Sequence, residues 1–189
     1  MIGKTTLTYD EVITALAYSI WTSELSKRTT LHAENTSLAK SAGYQKLNSA
    51  TEEATAYINR NQSSAIIIKF IDDILNGLQV VVVLNEDTRL IYVVFRCGNE
   101  TQPWLVTNKS CKCNISSKIS VHMGILELIE IHQISLFQTI DKLISEYPSF
   151  SICVTGYGLG GAISTLFGFM TAQRLSSTNN CQVTAISFG

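Results

Sequence analysis

The glycine-rich stretch Val154–Ala162 is the sequence feature that most restricts how this chain can fold. It places four glycines within nine residues, directly after the apolar run Phe150–Thr155 and directly before the apolar run Ala162–Leu175. The first run is typical of a buried strand and the second of a buried helix. Glycine lets a backbone turn sharply and approach another backbone closely. The stretch therefore predicts a tight strand–turn–helix unit, the building block of α/β proteins.

The remaining pattern predicts one domain, residues 1–189, with a helical N-terminal region (1–60) and a sheet-forming core (65–189). In the first region, Thr8 and Glu11 form a candidate capping box, and Ser37–Arg60 is predicted to be helical. The turn at residues 85–88 is predicted to join two of the core strands into a hairpin. Cys97–Ser120 is predicted to be a polar loop. The predicted core elements are strands at Ala65–Phe70, Leu78–Leu84, Arg89–Phe95, Phe150–Thr155 and Val183–Phe188, and helices at Gly124–Glu146 and Ala162–Leu175. This order predicts an α/β fold with a mostly parallel sheet and helices on both faces.

Composition excludes several classes of function. The chain is 46% hydrophobic and 15% charged with a net charge of −1, which argues against disorder and against a nucleic-acid-binding surface. No apolar run approaches the roughly 20 residues of a transmembrane helix. The N-terminus lacks the apolar segment of a signal peptide, which favours a soluble cytoplasmic protein. Five glycosylation sequons point the other way, so the compartment stays open: Asn35, Asn61, Asn99, Asn108 and Asn114.

The five cysteines and three histidines do not indicate a metal site or a disulfide framework. Cys97, Cys111 and Cys113 could gather with His122 around zinc, but their spacing matches no compact ligand pattern. We therefore expect free thiols, no metal and no cofactor. Cys153 and Cys181 lie in apolar stretches and are expected to be buried, whereas His32 and His132 are expected at the surface.

The glycines of the turn allow two chemical interpretations. Gly156, Gly158 and Gly161 match the G-x-G-x-x-G fingerprint of dinucleotide-binding domains. That fingerprint needs an acidic residue about 20 positions further on, and no acidic residue follows Glu146. The alternative is the G-x-S-x-G nucleophile elbow of hydrolases, with glycine at position 158 in place of serine. We favour the elbow.

Six short motifs occur in the order and spacing of one enzyme family. They are Val94-Phe95-Arg96-Cys97-Gly98, Pro103-Trp104, Val121-His122-Met123-Gly124-Ile125, Tyr147-Pro148, Val154–Ala162 and Ser187-Phe188-Gly189. Together they resemble the class 3 lipases, the fungal-type triacylglycerol lipases of the α/β-hydrolase fold, from Ala65 to the last residue. The resemblance implies a truncated α/β-hydrolase fold related to lipid-ester hydrolases.

The departures from this family concern its chemistry. The resemblance places the family's nucleophilic serine at Gly158, within an elbow formed by Gly156, Tyr157, Leu159 and Gly160. It places the oxyanion region at Cys97, Gly98 and Leu159, and the pocket wall at His122 and Trp104. Where the family has a histidine before the serine, this chain has Tyr157. Where the family has an aspartate before the tryptophan, this chain has Pro103. The triad acid and base lie further along in the family, and no Asp, Glu or His follows Leu159.

The expected function is therefore that of an inactive lipase-like protein, a pseudoenzyme that acts as a binding or interaction module for an acyl lipid or a protein partner. The alternative is a lipid-ester hydrolase fragment completed by a further segment or chain, and a weaker alternative is a dinucleotide-binding domain. Only Arg174 is charged between Ser151 and Gly189, so this segment is expected to be buried almost throughout. Val183–Phe188 would then offer a free strand edge for self-association or a partner. A monodisperse monomer by light scattering would contradict that expectation.

Overall fold

A computed structural model describes residues 8, 12, 14–16, 18, 19, 65–73, 75–97, 112–116, 119–176 and 181–189. Residues 12, 14–16, 18 and 19 are helical and are called the N-terminal helical segment below. The strands are β1 (Ala65–Asp73), β2 (Leu78–Asn85), β3 (Leu90–Cys97), β4 (Lys112–Ser116), β5 (Ile119–His122), β6 (Ser151–Tyr157) and β7 (Val183–Phe188). The long helices are α1 (Met123–Glu146) and α2 (Leu159–Leu175).

The main sheet has five strands in the order β1-β2-β3-β6-β7. β1, β2 and β3 pair antiparallel, whereas β3, β6 and β7 pair parallel. All of these strands except β2 therefore run in one direction, and the predicted mostly parallel α/β fold is confirmed. The predicted hairpin is confirmed as well, because Asn85 pairs with Leu90 and its Oδ1 atom accepts a hydrogen bond from the Thr88 N–H at 3.1 Å.

The sheet has a hydrophobic core on each face. On one face, Val80 and Val82 of β2 pack in a core with α1 and α2. The stacked rings of Phe137 in α1 and Phe167 in α2 join the two helices. On the other face the alternate residues of β2 pack with Ala15 and Tyr18 of the N-terminal helical segment. This alternation follows from the period of two in a strand, and a strand buried on both faces is an unbroken apolar run. Helices cover both faces, as the sequence predicts.

Two predicted boundaries were wrong. The stretch predicted as a polar loop, Cys97–Ser120, contains β4 and the start of β5, which form a separate two-stranded sheet. The turn predicted over Gly156–Gly161 is shorter, because β6 continues to Tyr157 and α2 begins at Leu159. Glycine-rich sequence indicated an irregular segment, but here most of its glycines have strand or helix geometry and serve close packing.

The prediction that Ser151–Gly189 is almost entirely buried was also wrong. Tyr157 is 61% exposed, and Ala185 and Ser187 in β7 are exposed. Within the described residues β7 is an edge strand of the main sheet, so its side chains are only half covered. The proposed association through this edge stays a prediction.

Helix α1 explains one further difference. It packs against α2, where Ile163, Leu166 and Phe167 are buried in the shared core. His132, expected at the surface, is half-buried and contacts Asp73 of β1. An amphipathic pattern identifies the apolar side of a helix, but not which neighbour its other sides meet.

Several predictions concern residues outside the described part of the chain. These are the helical region Ser37–Arg60, the oxyanion residue Gly98, the pocket residue Trp104, and also His32, Pro103 and Cys111. None of the described helices is both long enough and apolar enough to cross a bilayer.

Candidate functional site

The vertex of the turn between β6 and α2 is Gly158. Its backbone angles are φ 57° and ψ −122°, a conformation that residues with a side chain rarely adopt. Its N–H donates to the carbonyl of Phe188 at 2.7 Å, and its own carbonyl accepts from the N–H groups of Gly161 and Ala162 at 3.0 and 3.3 Å. These bonds tie the vertex to the end of β7 on one side and to the first turn of α2 on the other.

Two neighbouring glycines pack the turn against β3. A Cβ atom on Gly156 would lie 2.6 Å from the Phe95 carbonyl oxygen, and one on Gly160 would lie 2.9 Å from the Phe95 carbonyl carbon. Real Cβ atoms essentially never come this close to backbone atoms. At Gly158, by contrast, a Cβ atom would meet nothing within 4 Å. This geometry is that of a nucleophile elbow whose vertex has space for a side chain and carries none.

The predicted oxyanion region is only partly described. Leu159 is the first residue of α2, so its N–H has no acceptor within the helix and lies beside the vertex. Cys97 ends β3, the strand against which the elbow packs. Burial raises the pKa of the Cys97 thiol to about 11, although the charge of Arg96 opposes the shift. Cys97 is therefore a neutral thiol near pH 7, not a thiolate nucleophile.

A polar ladder across three strands holds the end of β3. Asp72 accepts a hydrogen bond from the Gln79 side chain at 2.9 Å, and Gln79 accepts one from the Arg96 guanidinium at 2.8 Å. Gln79 is buried, and the three residues are cross-strand partners. Buried polar groups that are fully paired rigidify their surroundings. The ladder thus fixes the strand end on which both the elbow and the oxyanion region depend, a role for Gln79 that sequence reasoning missed.

Other side chains near the elbow do not replace the missing serine. Ser164 is fully buried and donates its hydroxyl to the Gly161 carbonyl at 2.8 Å. Cys153 is fully buried in the middle of β6. Tyr157 is exposed beside the vertex, and its hydroxyl has no basic hydrogen-bond partner among the described residues. The elbow therefore has the backbone of a nucleophile elbow but no nucleophilic side chain.

His122 lies on an apolar groove next to the elbow. We call this the His122 groove, a cavity of about 370 Å³ between the end of β5 and one side of α2. Its lining residues are Ile119, Val121, His122, Ile125, Ala162, Thr165, Leu166 and Phe169. Ala162 is only one helical turn from Gly158, to whose carbonyl it is hydrogen-bonded. Sequence reasoning identified His122 but missed Thr165 and Phe169. The reason is that β5 and α2 lie far apart in the sequence and line the same cavity only in the folded chain.

An imidazole–carboxylate pair exists elsewhere in the described residues. His132 Nε2 and Asp73 Oδ2 are 2.8 Å apart. Burial alone would raise the pKa of Asp73, but hydrogen bonds from Asn76 and His132 outweigh it and lower the pKa below its ordinary value. β1 and β6 are separated by two strands, so the pair lies about 14 Å from the elbow strand at the usual strand spacing. It cannot act on a group bound at Gly158.

The described residues contain no group of three or more His, Cys, Asp or Glu side chains placed to hold a metal ion. Cys97, Cys153 and Cys181 are not joined in disulfide bonds. Cys153 is buried as expected, whereas Cys181 is half-buried and donates to the Phe150 carbonyl at 3.4 Å.

A mixed sheet with helices on both faces, and an elbow between a central parallel strand and a helix, define an α/β-hydrolase-like protein. The sequence model of the family described as lipase (class 3) matches residues 92–189, more than half of the chain, including the elbow. The chain belongs to the class 3 lipase family. This match favours the elbow over the dinucleotide interpretation of the glycines.

Known lipases resemble the chain in sequence and in fold. A lipase from Rhizomucor miehei is 30% identical over 118 residues, which cover 60% of this chain and 32% of that protein. A lipase structure from Rhizopus microsporus var. chinensis aligns with a TM-score of 0.66 at 17% identity, over 97% of this chain and 58% of that one. The Rhizomucor miehei triacylglyceride lipase structure aligns with a TM-score of 0.65 at 21% identity, over 97% and 63%. The chain thus spans about a third of the curated lipase and about three fifths of these two structures.

Proposed function

We propose that this chain is a lipase-like binding module that does not hydrolyse esters as it stands. The observation that carries the proposal is Gly158 at the vertex of the elbow. The position has the backbone geometry and the free space of a nucleophile, but glycine offers no atom that could attack a carbonyl. The backbone of the elbow is otherwise intact, so the turn is retained and only the nucleophilic side chain is missing.

The remaining groups support the absence of hydrolysis. A triad needs a nucleophile, a base and an orienting acid, and its members act as a unit. The Cys97 thiol is protonated near neutral pH, and the Ser164 and Cys153 side chains are fully buried. The His132–Asp73 pair joins α1 to β1, and two strands separate β1 from β6.

The ligand that best fits the module is an acyl chain in the His122 groove. The groove is almost entirely apolar, and its volume of about 370 Å³ is within the range of small-molecule sites. Phe169 is 39% exposed at its wall, and Leu166 is buried beneath it. His122 lines the groove as well, and its Nδ1 atom is buried without a hydrogen-bond partner among the described residues. We therefore assign the groove to the hydrocarbon part of a lipid.

Ester hydrolysis tests the catalytic half of the proposal. The purified chain is incubated with p-nitrophenyl butyrate and p-nitrophenyl palmitate, and release of nitrophenol is compared with a buffer blank. We expect no turnover above the blank. Hydrolysis that a serine-directed phosphonate inhibitor abolishes would refute the proposal.

Binding of a fluorescent fatty acid tests the other half. Phe169→Arg places a charge in the groove and should weaken binding by about tenfold or more, since charge is costly in an apolar site. The matched control is Leu75→Arg, which makes the same kind of change at a residue that is 80% exposed and outside the groove. Equal affinity of the two variants would show that the groove is not the site.

The second candidate is a lipid-ester hydrolase completed by a further segment or chain. The preserved packing of Gly156 and Gly160 against Phe95 favours it, since this framework serves to present a nucleophile. It requires a nucleophile, an acid and a base, which the described residues do not bring together at the elbow. Hydrolysis that appears only when a longer product of the same gene is assayed would favour this candidate over the binding module. Association through β7 with such a segment, with a partner or with a second copy is part of both proposals.

A further inference from the structure

The contact between β1 and α1 contains a lysine that has no carboxylate partner among the described residues. Lys69 Nζ donates to the Ser135 carbonyl at 3.3 Å, to the Thr139 hydroxyl at 3.3 Å and to the Ser135 hydroxyl. Ser135 and Thr139 lie on successive turns of α1 and face the same strand. All three acceptors are neutral, so the part of the chain that the structure describes gives the half-buried ammonium hydrogen bonds but no counter-charge.

Other basic side chains that are on α1 or contact it differ in this respect. Arg174 pairs with Asp141 at 2.6 Å, Lys142 approaches Glu146 at 3.8 Å, and His132 contacts Asp73. Within the described part of the chain, Lys69 has no carboxylate within ion-pair distance. Half-buried charges normally have a partner of opposite sign.

A local irregularity of β1 places Lys69 in this position. The register of β1 against β2 shifts between Ile67 and Lys69, as in a β-bulge. Ile67 packs on the face of the N-terminal helical segment, whereas Lys69 reaches α1 on the opposite face. In a regular strand these two side chains would share a face. Bulges re-aim side chains in this way and occur frequently beside functional sites.

Lys69, Ser135 and Thr139 line a cavity of about 450 Å³, which is of ligand size. The charged groups on its wall are the ammonium groups of Lys69 and Lys142 and the carboxylate of Glu146, so the wall carries a net positive charge. The Ser135 hydroxyl accepts from Lys69 and keeps its own hydrogen to donate. Leu143 supplies an apolar surface on the same wall.

We propose that this cavity binds an oxyanion group, a phosphate or a carboxylate, of a small ligand. Lys69 supplies the counter-charge and Ser135 donates the hydrogen bond. Charge-assisted contacts of this kind are stronger than neutral ones. The site is separate from the elbow and the His122 groove, and it does not depend on the function proposed for them.

Calorimetric titration at constant ionic strength tests this site with two probes, inorganic phosphate and hexanoate. We expect at least one probe to bind the unmodified chain with a Kd of about 1 mM or lower, and Lys69→Met to weaken that binding about tenfold or more. Lys69→Arg, which retains the charge, should preserve most of the affinity. Arg174→Met removes a cation outside the cavity and should have no effect. Binding of phosphate alone indicates a phosphate ester as ligand, and binding of hexanoate alone indicates an acidic amphiphile.

Ser135→Ala provides the same test if Lys69→Met does not fold, because it removes the hydroxyl donor and leaves the ammonium in place. It should also weaken binding of the same probe. Failure of both probes to bind the unmodified chain would overturn the proposal and leave Lys69 as a clamp between β1 and α1. An equal loss of affinity in Arg174→Met would overturn it too, since binding would then follow overall charge.

Discussion

The β6–α2 elbow and the β1–α1 contact join a helix to the same sheet in opposite ways. At the elbow, Gly156 and Gly160 bring backbone against backbone at Phe95, with no charged side chain between them. At β1–α1, Lys69 and Asp73 reach across to Ser135, Thr139 and His132 through hydrogen bonds. The first junction depends on the absence of side chains and the second on their presence.

This difference predicts which substitutions and which changes of pH each junction tolerates. A close-packed backbone junction has no room for one methyl group, but neither pH nor salt alters it. A polar junction can lose one contact and still be packed, but its strength changes with protonation. We therefore expect added side-chain volume to destabilise the elbow, and a change of charge or protonation to destabilise the β1–α1 contact.

The largest expected effect is from Gly160→Ala. The new Cβ atom would overlap the backbone of Phe95, which cannot move without displacing β3. We expect a loss of about 3 kcal/mol or more in the free energy of unfolding, at the upper end of the cost of overpacking. Urea denaturation followed by circular dichroism measures it. Gly156→Ala should behave similarly, and a loss below that of Gly158→Ala would contradict the comparison.

Gly158→Ser has an intermediate effect of a different kind. Its Cβ atom meets nothing within 4 Å, so the cost arises from backbone strain alone and is about 1–3 kcal/mol. The variant should remain without esterase activity, because a nucleophile gains little without its base and acid. Denaturation and the p-nitrophenyl butyrate assay check the two statements. Should the variant turn over the ester, a base near the vertex must exist, and His122 would be the first residue to replace.

The smallest of the three effects, and the one that depends on pH, is that of Asp73→Asn. The pKa of Asp73 is lower in the folded chain than its ordinary value, so its ionised form stabilises the fold. This contribution is present above the unfolded pKa of about 3.9 and is lost as the pH falls through the folded value. Asp73→Asn should cost about 1–2 kcal/mol at pH 6, the scale of a hydrogen bond to a charged group.

Denaturation at several pH values between about 2 and 6 measures this difference, which should shrink below about pH 4. The control is Glu130→Gln, which removes the same charge from an exposed residue of α1 and should change stability by about 0.5 kcal/mol or less. A difference between Asp73→Asn and the unmodified chain that is constant with pH would contradict the electrostatic account.

Local patterns were sufficient to predict most elements of the fold. The apolar runs of β2 and β3, the turn at Asn85 and the periodicity of α1 are short-range features, and each predicted its element within a few residues. β4 was missed because its five residues include no long apolar run. The limits of the elbow were missed because glycine favours no single conformation, so its neighbours in space decide its geometry.

The candidate sites divide in the same way. By itself the sequence determined the family motifs, the glycine at position 158 and the lack of any acid or histidine after it, since these are matters of residue identity and order. Only the tertiary structure decided that a side chain at position 158 would be strained but unobstructed, and that Thr165 and Phe169 line a groove with His122. It also decided that Lys69 faces α1 with no carboxylate of the described residues in ion-pair distance. The physical reason is that strain, cavities and unpaired charges are properties of segments distant in the chain, brought together by packing of the sheet and its helices.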